Sequence, residues 1–238
     1  MSLVASLAMR RIVFAVLVCL GPGLCSCSEE EAGSKIPATL AELEGVAEDA
    51  YDLALLGKTS AVQTDAKQLV SLWKKFQDDA KQQGVGSKDL VQLGDAITAL
   101  DDGSGTAGSD VNLARLANAV SRRMSAFYAA FDAEAVTELL DLDYLGREVA
   151  LDGLDGVVMD AIADVDEIEA LWSQIRARTV AAGGKQQAAD FDASVTALRM
   201  AIAAKDAPML VKRANAELDL VDEIEQVFDK ANAADPAD

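Results

Sequence analysis

An ordered series of matched residues returns in this chain at a nearly constant interval, and that repeat most limits what it can fold into. Gly57 and Gly156 stand 99 positions apart, as do Trp73 and Trp172, each preceded by leucine, and Gly84 and Gly183. Thr98-Ala99-Leu100 returns as Thr196-Ala197-Leu198 after 98 positions. Ala117-Asn118-Ala119 returns as Ala214-Asn215-Ala216, and Phe131-Asp132 as Phe228-Asp229, after 97. A slowly shrinking interval is what loop deletions leave in a duplicated unit. The boundaries follow: a first helical repeat over 36–132 and a second over 133–238.

Each repeat reads as four helices. In the first, Pro37 opens a helix whose apolar face is Leu40, Leu43, Val46, Ala47, Ala50 and Leu53, and Gly57 ends it. Ser60-Ala61-Val62-Gln63 has the spacing of a capping box ahead of Val62, Ala66, Leu69, Trp73, Phe76 and Ala80. Ser87 is placed to cap a third helix carrying Leu90, Leu93, Ile97 and Leu100. The stretch from Asp101 to Asp110 reads as turn chemistry, and Ser109 opens a fourth helix with Leu113, Leu116, Val120, Met124, Phe127 and Phe131. The second repeat places helices over about 133–154, 157–180 and 186–204, then a fourth capped by Asp206 with Pro208 in its first turn. Between Val111 and Leu154 there is no proline, and the only glycines are Gly146 and Gly153. The fourth and fifth helices therefore either run on as one rod or turn near Phe131-Asp132-Ala133. Few aromatics (5%) and many alanines and leucines favour helix over strand. The expected fold is all-α: two tandem repeats of an antiparallel four-helix bundle-like unit.

The chain of 238 residues starts differently from its body. Arg10 and Arg11 precede the apolar run Ile12–Leu20, which Gly21-Pro22-Gly23 breaks. Nine apolar residues are too few to span a bilayer, which takes about 20. A positive start, a short apolar middle and a small-residue exit mark an export signal, beginning at either Met1 or Met9. Leu24-Cys25-Ser26-Cys27 resembles the lipobox of bacterial lipoproteins. The resemblance implies a signal over 1–26 and a lipid-modified Cys27. It also implies a tether over 27–35 and, where there are two membranes, the periplasmic face of the outer membrane. Several acyl chains at about 0.8 kcal/mol per buried methylene give a stable anchor. No cysteine follows Cys27.

The net charge is −19, and of the 21 basic residues Arg10 and Arg11 lie in the first 26 positions while none of the 40 acids does, which leaves −21 on the remainder. Such a surface repels phosphate backbones, so a nucleic-acid partner is not expected. There is no histidine. That removes the commonest general base, histidine-ligated haem and zinc sites of the Cys/His type. No cofactor is expected. Carboxylates crowd one segment: Asp141, Asp143, Glu148, Asp152 and Asp155, with Asp160, Asp164 and Glu167 beyond. Asp141, Asp143, Gly146 and Asp152 loosely follow a calcium loop, with Leu145 and Asp152 departing from the pattern, so no residue is assigned to a metal. Met124, Met159, Met200 and Met209, and both tryptophans, read as core. Arg115, Arg122 and Arg123 form a basic stripe best explained by pairing with nearby acids. Asn118 and Asn215 fall away from the apolar stripes of their helices and are the candidate partner-facing residues, meeting either the other repeat or an outside partner.

The expected function is non-catalytic: an envelope lipoprotein that binds or scaffolds a protein partner or small ligand at the membrane. Two alternatives stay open. One is a divalent-cation-binding protein using clustered carboxylates; the other is an enzyme working through a carboxylate acid/base pair.

Overall fold

The computed structural model describes residues 36–106, 108–132 and 137–234. The expected signal, the tether and Cys27 lie outside the described residues. Among the described residues the chain is helical, with no strand: α1 (Ala38–Leu55), α2 (Thr59–Gln82), α3 (Ser87–Ser104), α4 (Asp110–Ser121), α5 (Met124–Phe131), α6 (Thr137–Asp155), α7 (Ala161–Ala181), α8 (Lys185–Ala204) and α9 (Ala207–Ala234). No helix among them is long and apolar enough to cross a membrane.

Local chemistry sets the ends of these helices. The Pro37 carbonyl accepts from the Leu40 and Ala41 amides. Ser109 caps α4 by accepting from the Asn112 amide, and Asp206 accepts from the Met209 amide at the start of α9. Two expected caps do not form. Gly57 turns the chain with φ +68, and the Lys58 amide returns to the Leu53 carbonyl, so the Lys58 carbonyl already receives Ala61 and Val62. Thr59 is then the first residue of α2, which leaves Ser60 inside the turn it was expected to cap. Likewise Gly86 precedes α3, and Ser87 is its first helical residue. The turn expected from Asp101 starts late, because α3 continues to Ser104, whose hydroxyl donates to the Asp101 carbonyl.

No continuous rod joins the fourth and fifth predicted helices. The Arg123 amide bonds to Val120, three residues back, which tightens the helix into a turn at Arg122–Arg123 and starts α5. Asp132 is then extended (φ −139, ψ 102), so α5 stops at Phe131.

α1 packs on α2, α4 and α5, α2 on α3, and α3 on α4; α6 packs on α7 and α9, α7 on α8, and α8 on α9. Short connections reverse the chain between neighbours. One apolar cluster lies among α1–α5, with Leu40, Leu43, Leu69, Phe76, Leu93, Ile97, Leu100 and Phe127 fully or almost fully enclosed. A second lies among α6–α9, around Leu142, Val149, Ile168, Ile175, Phe191, Leu198 and Ile224. Leu151 of α6 belongs to the first cluster, and α6 packs on α4 and α5. This α6 contact is the seam between the two groups of helices.

Alanines and glycines set the spacing. Ala47, Ala50, Ala114 and Ala117 are buried between α1 and α4. A Cβ on Gly146 of α6 would collide with the side chains of Glu217 and Leu218 of α9, which pack into the space the glycine leaves. The tryptophans are core-edge anchors: Trp73 meets Phe127 edge-on at 5.8 Å, and Trp172 lies 4.3 Å from Phe191 while its indole donates to Asp192.

The C-terminal ends of α1, α6 and α8 and the N-terminal ends of α2, α4, α7 and α9 share one end of the molecule. Gly57 lies against Asp110, Arg115 reaches Asp155, and Gly153 lies against Val211. The N-terminus of α1 is at the opposite end. The 18 residues of α1 separate the two by roughly 27 Å at 1.5 Å per residue.

Candidate functional site

The seam carries charge where a helical protein ordinarily carries apolar side chains. Glu44 and Glu48 lie one turn apart on α1 and are 4% and 6% exposed. Asp143 and Arg147 lie one turn apart on α6, equally buried. Arg147 Nη2 donates to Glu48 at 2.8 Å and pairs with Asp143 at 2.5 Å, while its guanidinium sits 5.2 Å from the centre of the Tyr51 ring. The Tyr128 hydroxyl of α5 donates to Glu44. α9 adds Glu217, fully buried, and Glu225 and Asp222, partly buried. One guanidinium thus stands among at least four carboxylates drawn from three helices.

That imbalance shifts proton affinities. Burial, then the charge of Glu48, raises Glu44 well above the ordinary carboxylate range, against the opposing hydrogen bond from Tyr128. Burial raises Glu48 to about 7; Arg147 opposes this and Asp143 adds to it. Burial, with Asp229 and Asp222, raises Glu225 to about 8. Burial and then Glu44 push the Tyr128 phenol up. Burial alone would lower Arg147, but Asp143 and Glu48 outweigh it and raise it above its usual value. Arg147 stays charged, while the glutamates hold on to protons rather than ionise fully.

A second network joins α4 to α6 toward the far end of the seam. Arg115 reaches Glu148 at 2.6 Å, Asp152 at 2.7 Å and Asp155 at 3.1 Å. Arg122 lies over the Tyr144 ring and donates to its hydroxyl at 2.9 Å. Asn118 is fully buried and donates to the Tyr144 carbonyl at 3.1 Å and to Glu148 at 2.7 Å. Asp164 of α7, nearby, is raised to about 6 by burial, then by Asp152 and Glu148.

The two candidate asparagines take different places. Asn118 meets α6, and since it has no exposed surface no outside partner reaches it. Asn215 is half-buried on α9. Of the basic stripe, Arg115 and Arg122 are engaged by α6 and Arg123 by Gln92. The loose calcium pattern is not a loop, because Asp141 to Asp152 all lie within α6 and point to different partners. Among the described residues no group of three or more histidines, cysteines, aspartates or glutamates is arranged to hold a metal ion. The methionines depart from the core reading: Met124 is enclosed, but Met159, Met200 and Met209 are exposed.

Sequence reasoning missed Glu44, Glu48, Tyr128, Arg147 and Glu225. A signal was present. Glu44 matches Asp143 and Glu48 matches Arg147 at the same interval of 99 as the glycines, and the last two residues bond to each other. Charge on the buried faces of two facing helices, conserved in sign at Glu44 and Asp143 and reversed at Glu48 and Arg147, is what an internal interface leaves in a sequence.

Other features are surface support. Asp192 receives the Trp172 indole and Arg176, and Arg199 bridges Glu169 and Asp166 between α7 and α8. A recess of about 100 Å³ at the α3–α4 turn, lined by Thr59, Gly103, Asp110 and Leu113 among others, is smaller than the roughly 300 Å³ at which small-molecule sites begin. Comparison of the chain with protein-family models, curated proteins and solved structures finds no significant match to any of them.

Proposed function

We propose that this chain is a membrane-anchored envelope lipoprotein, held by lipid on Cys27, that serves as a non-catalytic binding or scaffolding module for a protein partner. The body is two tandem copies of an antiparallel four-helix unit. Matching helix ends support the duplication. Gly57 and Gly156 carry the same positive-φ turn, as do Gly84 and Gly183, and in all four the amide of the next residue returns to the carbonyl five positions before it. The order in which helices pack is also the same in both groups.

The observation that carries the binding reading is where exposed apolar side chains gather. Leu56, Leu154, Val157, Met159, Met200 and Met209 are all substantially exposed, and all belong to the end away from the N-terminus of α1. Met200 is 68% exposed. A tether at Cys27 would hold this face out from the bilayer. Flexible thioethers among leucine and valine suit a protein surface that repacks on contact.

A photo-crosslinking side chain placed at Met159 or Met209 in the anchored protein tests this. The expected result is a discrete envelope protein captured from both positions and not from exposed Val91 on α3. Equal capture from all three positions, or none from any, would remove the distal end as a binding surface.

A further inference from the structure

We propose that the seam formed by Glu44, Glu48, Asp143, Arg147 and Glu225 is a proton-operated latch, closed while protons balance its surplus carboxylates and loosened when they leave. The inference is independent of what anchors the chain or binds its distal end.

The geometry leads to it by charge counting. Arg147 is the guanidinium that enters this part of the seam, and it is committed to Glu48 and Asp143. Glu44 is met by a phenol, which supplies a hydrogen bond but no charge. Glu225 faces Asp222 and Asp229 on its own helix and Glu48 and Asp143 across the seam. Glu48 faces Arg147, Asp143 and Asp222. Glu44 faces Glu48, Tyr128, Glu225 and Asp143. Glu217 lies buried beside Gly146 on the same side. Among the described residues, the contacts of α2 and α4 beside α1 place no cation on Glu44 or Glu48. Burial and the charge of Asp49 raise Asp65 of α2, Gln68 donates to Glu42, and Arg115 of α4 and Arg122 just beyond it are spent on α6. Full ionisation therefore leaves like charges facing one another with little water between them, which buried groups avoid by holding protons. These groups take up protons well above the ordinary carboxylate range, which puts the change near neutral pH.

The direction is fixed. In the open seam the glutamates regain ordinary acidity and release protons, so opening is favoured as pH rises. For Glu48 alone the opening constant rises roughly tenfold per pH unit between its ordinary value of 4.5 and about 7, then levels off.

The chain from residue 28 onward contains every described residue and no cysteine, so one introduced thiol reports opening. Leu151→Cys places it on α6 within the seam, and Thr179→Cys places a control in the buried face of α7. The expected result, after correction for thiolate fraction, is labelling at position 151 that accelerates at least tenfold between about pH 6 and 8. Labelling at 179 should stay level, and Glu48→Gln or Glu225→Gln should flatten the slope at 151. Equal slopes at both positions, or a slope that neither glutamine changes, would overturn the latch. The unsubstituted protein gives a second reading by infrared spectroscopy. Protonated-carboxyl absorption should be present near pH 6 and weaken as pH rises through the values of Glu48 and Glu225, and its absence at the lower pH would overturn the latch as well.

Discussion

Arg147 carries more of the seam than any other residue. It holds Glu48 of α1 and Asp143 of its own helix at less than 3 Å, in a setting about 95% removed from water. A buried ion pair adds little net stability over apolar packing, but removing one member strands the other. Arg147→Met is thus expected to cost about 3–5 kcal/mol, measured by urea unfolding, because two carboxylates lose their cation. Combining it with Glu48→Gln should recover part of that loss; a strictly additive double variant would contradict the coupling. Gly146 is the steric counterpart. Gly146→Ala should destabilise by about 1–3 kcal/mol, since Glu217 and Leu218 occupy the space its methyl needs. The exposed methionines predict the reverse. Met159→Glu should change unfolding free energy by less than about 0.5 kcal/mol while removing partner capture.

Individual helices were largely legible in the sequence because their apolar spacing and their stops are local. Gly57 ends its helix where it was expected to, and Ser109 and Asp206 cap where they were expected to. Starts that compete with a preceding turn were not legible. Ser60 loses its role because the Gly57 turn has already committed Lys58. The contrast is measurable: Ser109→Ala should cost about 1 kcal/mol, and Ser60→Ala close to nothing. The interruption at Arg122–Arg123 was invisible to composition, having neither glycine nor proline. The seam was illegible for a different reason. Glutamates at helical spacing normally face water, and only the packing of α6 on α4 and α5, with α9 alongside, turns Glu44 and Glu48 inward. A long-range docking contact has no local signature beyond the matched 99-residue interval.

At the scale of the whole molecule, two consequences follow from an acidic chain whose interior also holds acids. The first concerns pH. Glu44, Glu48 and Glu225 are raised in the folded state, so the folded chain holds protons that the unfolded chain releases. Their contribution is fully present below the unfolded value of 4.5 and is lost as pH rises through about 7 for Glu48 and about 8 for Glu225. The melting temperature should fall from pH 6 to pH 9, the opposite of the acid lability common in proteins with paired surface carboxylates. Asp192 and Glu169, lowered by Arg176 and Arg199, act the other way only at acid pH, and both are largely exposed, so their share is small. The second consequence concerns orientation. Under the proposed anchoring at Cys27, the apolar end beyond the far ends of α1 and α6 would make the body a spacer between bilayer and partner. The most direct test is intact mass and N-terminal mapping of the protein extracted from membranes of the organism that makes it. The account predicts a chain beginning at Cys27 with fatty-acyl mass on that residue. A chain beginning elsewhere, or an unmodified Cys27, would contradict it.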